Sequence, residues 1–106
     1  MEMTILRNIL LLALAKAYDG QKNAYIMLED IAPAILYLEQ VTPELHGGHS
    51  SRATGALITL ESQKLVRMER GRVYLTAAGI NACQGSELPP GWSALPNELK
   101  KRVKTK

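Results

Sequence analysis

Phenylalanine is absent from the 106 residues, and tryptophan and cysteine each occur once. A hydrophobic core must therefore be filled by Leu, Ile, Val, Ala and the four Tyr, with Trp92 as a single large anchor. One cysteine, Cys83, excludes an internal disulfide and fits a reducing, cytoplasmic setting. The apolar run 9–15 is far shorter than the roughly 20 residues that a spanning helix needs. One cation precedes it and no small-residue cleavage site comes before Lys16, so it is read as a buried helix and not as a signal peptide.

Charge has a gap as well. Residues 23–51 contain no Lys or Arg, while Glu29, Asp30, Glu39 and Glu44 make that stretch acidic. The cations lie beyond it: Arg52, Lys64, Arg67, Arg70 and Arg72, then Lys100, Lys101, Arg102, Lys104 and Lys106, in a chain of net charge +3. Cationic surface attracts phosphate with a strength that falls as salt rises. With 46% hydrophobic and 22% charged residues the composition is that of a folded domain, not a disordered chain. Composition divides it at residue 84, giving a domain over 1–84 and a Pro/Gly-containing arm with a basic tail over 85–106.

Chemistry-bearing motifs are also scarce. Ser50, His49 and Glu44 have the composition of a triad, but no nucleophile elbow or oxyanion hole accompanies them. A phosphate-binding Gly-rich loop with its lysine and paired-cysteine motifs are missing too. The spacing His46-Gly-Gly-His49 would let two imidazoles share an ion, yet zinc needs two more ligands. A polar loop is the preferred reading. No enzyme activity, metal or cofactor is expected.

What is present is helical periodicity. Residues 4–18 are dominated by Leu, Ala, Lys and Arg without Pro or Gly, and Asp19-Gly20 ends the helix. Ile5, Ile9 and Leu12 share one side, with Leu6, Leu10 and Ala13 beside it. Leu11 and Leu14 fall on the side that carries Arg7, which an amphipathic helix should leave polar. Either the C-terminal tail or a second subunit covers that side; we favour a homodimer whose interface uses Leu11, Leu14 and Trp92. A short extended segment is expected over 24–27. Asp30 is read as the cap of a second helix running to about residue 40, with Pro33 in its first turn and Ile31, Ile35, Leu36 and Leu38 inward. Thr42-Pro43 opens one short turn.

A third helix is expected over 51–63, capped by Ser50 or Ser51, with Ala53, Leu57 and Leu60 on its buried side. After Lys64 the period changes to two. Strands over 65–69 and 72–76 flank Arg70-Gly71, the signature of a hairpin. Thr76 then caps a helix over 77–83, and residues 97–106 form a short basic helix or remain irregular.

The ordered set of helix, Lys64-Leu65-Val66-Arg67, Arg70-Gly71-Arg72, Tyr74-Leu75-Thr76 and Ala78-Gly79 resembles the recognition helix and wing of winged helix-turn-helix proteins, especially MarR- and PadR-type regulators. The segment 41–49 departs from the tight turn of a simple helix-turn-helix. The resemblance implies an α+β winged helix-turn-helix fold: a three-helix core, a two-stranded β-wing and a following C-terminal helix. It also implies a transcriptional regulator bound to double-stranded DNA. Ser51, Arg52, Thr54, Gly55 and Thr59 would then face the major groove, with the Arg52 fork suited to guanine. Arg67, Arg70 and Arg72 would reach phosphates or a minor groove, and Lys100, Lys101 and Arg102 would add cations from the tail. The competing reading is a winged-helix protein-interaction module in a replication, partition or phage or virus assembly.

Overall fold

A helix that is apolar over most of its circumference has to be covered there, and the first helix is. In the computed structural model, which describes residues 3–21, 23–45 and 48–105, α1 spans Met3–Tyr18. Leu6, Ile9, Leu10, Leu11, Leu12, Ala13, Leu14, Ala17 and Tyr18 on it are all buried. It ends where Asp19 and Gly20 both take left-handed backbone, φ 48° and 75°, a conformation that glycine adopts without steric penalty. Ile5, expected inside, is instead 45% exposed.

Strand β1 (Ala24–Met27) leads without a loop into α2 (Leu28–Val41). Asp30 is not the cap, because the helix starts two residues earlier with Met27 at the cap position and no side-chain cap. The first helical amide is satisfied by backbone: Leu28 N–H donates to the Gly71 carbonyl at 2.7 Å. Pro33 therefore lies within the helix, where it has no N–H to give to the Glu29 carbonyl. Leu36 points outward at 49% exposure, a further correction.

A 3₁₀ turn at Pro43–Leu45 and another at His49–Arg52 precede α3, Ala53–Ser62. Neither serine caps α3. The Ser51 hydroxyl donates back to the Gly48 carbonyl at 2.7 Å, and the Ser50 amide donates to the Glu39 carboxylate of α2 at 3.0 Å. Ala53, Ala56, Leu57 and Leu60 are the buried side of α3, packed on α1.

Strands β2 (Val66–Glu69) and β3 (Arg72–Leu75) pair antiparallel around Arg70 and Gly71, at φ 54° and 76°. Two positive φ values define the type I′ turn, whose twist matches that of the strands it joins. Helix α4 (Ala77–Ala82) is capped by the Thr76 hydroxyl, which accepts from the Gly79 amide at 3.0 Å. Beyond the arm come α5 (Leu95–Lys100) and a strand no periodicity announced, β4 (Lys104–Thr105). The fold is thus α+β, with an antiparallel sheet in the order β2-β3-β1-β4 among the described residues.

The tail, not a subunit, closes the core. Helix α5 packs on α1 and α2, and Trp92, Leu95 and Leu99 belong to the same buried cluster as Leu11 and Leu14. In a single chain Leu11, Leu14 and Trp92 are only 4%, 0% and 2% exposed. This corrects the expected dimer interface, since those side chains have no surface left to offer. The division at residue 84 is one of composition, not of packing.

Two substitutions test this packing. A β-carbon on Gly79 would stand 2.1 Å from the Leu65 carbonyl oxygen, so Gly79→Ala should lower stability by about 2 kcal/mol or more, seen in the urea midpoint. Leu14→Ala should cost about 2–5 kcal/mol by the same measurement, with a midpoint independent of protein concentration. A midpoint that rises with concentration in the wild type and loses that dependence in Leu14→Ala would restore the subunit cover.

Candidate nucleic-acid interface

The third helix and the hairpin turn meet at one groove. Thr54, in the first turn of α3, and Gly71, in the β2–β3 turn, line a shallow groove of about 380 Å³ with Met27, Leu28, Glu29 and Ala32. The Leu28–Gly71 hydrogen bond fixes the turn against the start of α2. Of the residues assigned to the groove-facing side, Ser51, Arg52, Thr54 and Gly55 are exposed and Thr59 is half-buried. Between them lies one that sequence reasoning missed: Ile58, 55% exposed on the same side. The signal was available, because Ala53, Leu57 and Leu60 as the buried side put position 58 opposite.

The hydroxyls along this side are already committed as donors. Thr59 Oγ1 donates to the Gly55 carbonyl at 3.1 Å and Ser62 Oγ to the Thr59 carbonyl at 2.7 Å, in the same way as Ser51 toward Gly48. Each oxygen keeps its acceptor capacity, and its hydrogen turns to an incoming group only at the cost of that bond.

The three arginines of the hairpin differ in their freedom. Arg70 stands exposed at the turn. Arg67 lies over the Tyr74 ring, 4.4 Å from its centre, and pairs with Glu69 at 3.2 Å. Arg72 lies over Tyr25 at 4.7 Å, with Nη1 3.5 Å from the Tyr74 hydroxyl. The cross-strand register explains the arrangement, for Arg67 is opposite Tyr74, Tyr74 opposite Tyr25 and Tyr25 opposite Lys104. The two tyrosine rings are 5.5 Å apart. A guanidinium held flat on a ring keeps its charge and its outer edge while losing rotational freedom. Donation to the Tyr74 hydroxyl, with Tyr25 nearby, holds the Arg72 pKa above its usual value.

The tail cations are arranged around α5. Lys101 Nζ donates to Glu98 Oε1 at 2.9 Å, and Arg102 Nη1 donates to the Glu98 carbonyl at 3.0 Å and lies 3.5 Å from its carboxylate. Lys100 is exposed. Through α5 this group sits with α1 and α2, whereas Lys104 is carried to the sheet by β4.

His49 does not face solvent or phosphate. It is 5% exposed and meets Trp92 edge to face, with ring centres 5.2 Å apart. Its Nδ1 has no hydrogen-bond partner among the described residues. His46 lies outside them, and among them no group of three His, Cys, Asp or Glu side chains converges as metal ligands would. Cys83 is half-buried, and burial raises its pKa, which keeps the thiol protonated and unreactive. Among the described residues no helix is long and apolar enough to cross a membrane. Neither a protein-family model, a curated protein nor a solved structure matches the chain.

The Glu98 cluster gives a pH test. Its hydrogen bond with Lys101 holds the Glu98 carboxyl below its ordinary range. A lowered folded-state pKa contributes stability above the unfolded value, near 4.3, that is lost as pH falls through the folded value. Glu98→Gln should therefore leave a shallower loss of thermal midpoint below about pH 4.3 than the wild type shows. Parallel curves would mean that the pair contributes nothing.

Proposed function

We propose that this protein is a winged-helix, MarR/PadR-like DNA-binding protein, a cytoplasmic regulator of transcription that inserts α3 into the major groove of a duplex. The β2–β3 hairpin serves as the wing. The observation that carries the reading is the shared groove of Thr54 and Gly71, which turns the start of α3 and the Arg70 turn toward one side. A helix fits the major groove of B-DNA, and a cationic hairpin beside it meets the flanking phosphates or the minor groove. Arg52 and Thr54 supply hydrogen bonds at the first turn of α3, Arg70 supplies the mobile wing charge, and Arg67 and Arg72 supply fixed charges on tyrosine platforms. A homodimer on a palindromic site would have to pair through a face other than Leu11, Leu14 and Trp92.

A second reading, a winged-helix module that binds other proteins in a replication, partition or phage or virus assembly, is favoured by α2. Leu36, Tyr37 and Val41 are each about half exposed along its outer side, and the acidic stretch around them would repel nucleic acid.

Duplex binding at two salt concentrations separates the two. Wild type should bind a selected duplex with an affinity that falls steeply with salt. Arg70→Ala should weaken every sequence alike and reduce the salt slope by about 1, the value for one phosphate contact. Arg52→Ala should relax sequence preference. No binding to a random duplex library at low salt would remove the regulator reading and leave the interaction module.

A further inference from the structure

We propose that Ile58 is a specificity-determining residue of α3 that reads the 5-methyl group of a thymine; the inference rests on the duplex-binding reading above. Ile58 is 55% exposed in the middle of the outward side of α3, where a surface helix ordinarily carries polar residues. Thr54 and Gly55 precede it by four and three positions, so all three share one side of the helix. Gly55 has no side chain to stand between Ile58 and an approaching surface.

Polar readout is concentrated at the first turn. Ser51, Thr59 and Ser62 each donate their hydroxyl hydrogen to a backbone carbonyl, which leaves Arg52 and Thr54 as the donors toward base edges. Ile58, one turn further on, adds an apolar contact. The one apolar group in the major groove of unmodified DNA is the thymine methyl. A thymine opposite Ile58 gives that side chain an apolar partner in the groove.

The test uses the full chain and a duplex selected from a random library. Each thymine is replaced in turn by deoxyuridine, which removes the methyl and leaves every hydrogen-bonding group in place. At one thymine the replacement should weaken wild-type binding about fourfold, the ratio expected for burying one methyl group. Ile58→Ala should bind the thymine and deoxyuridine duplexes equally at that position. If every deoxyuridine replacement has the same effect on wild type and Ile58→Ala, the inference is wrong while duplex recognition stands. If wild type selects no duplex at all, both fail together. Since Ile58 is exposed, the variant should keep its thermal midpoint; if it does not, Ile58→Gln, which keeps helical propensity and places a polar group at the contact, replaces it in the same comparison.

Discussion

A helix without a polar side sets the terms for everything around it. Leu6, Leu10 and Leu14 are fully buried along α1, and Leu11 and Leu12 on the flanks between them are nearly so. Apolar surface left in water costs about 25 cal/mol per Å², so each side of such a helix has to be given a neighbour. Here α3 takes one side and α5 another. The tail is consequently held by the core and not by its own helical propensity, which six residues would not sustain.

The hairpin is tied to the helices by backbone groups whose own elements cannot satisfy them. The Leu28 amide, unpaired at the start of α2, finds Gly71 at the tip of the turn. At the base, the Leu65 carbonyl receives both the amide and the hydroxyl of Thr76, and Gly79 admits that carbonyl by having no β-carbon. Unsatisfied helix and strand ends are expensive when buried, and these bonds settle several at once. They also orient the hairpin relative to α3, on which the proposed groove depends. The outer edge of β2 is dealt with in the same way, for the Met68 amide donates to the Glu61 carboxylate at 3.2 Å, leaving less free edge for another chain to pair with.

Local sequence signals made α1 to α4, the hairpin and the Thr76 cap legible, because each depends on neighbours within a few residues; α5, which starts at Leu95, reaches into the segment read as an irregular arm. The cover of α1 was not legible: alternation and helical spacing tell that Leu11 and Leu14 are apolar, not which distant segment lies on them. For the same reason the Lys104–Thr105 strand escaped notice, being too short to have a period and existing only through its pairing with β1. Asp30 and Ser51 had the chemistry of caps, but α2 begins at Leu28, whose amide donates to the Gly71 carbonyl, and α3 begins at Ala53 after a 3₁₀ turn, so Met27 and Arg52 hold the cap positions. At the candidate site the wing cations were visible as charges. Their stacking on Tyr74 and Tyr25 was not, since it follows from strand register. Ile58 was hidden by the habit of reading isoleucine as core.

The contact of His49 with Trp92 has an optical consequence. The chain contains one indole, and it rests against the turn that opens α3. Its fluorescence is therefore a built-in gauge of that turn, sensitive to any shift of the helix against the tail and free of interference from other tryptophans. A label-free emission spectrum, read with and without a ligand, would report whether the surface and the core move together.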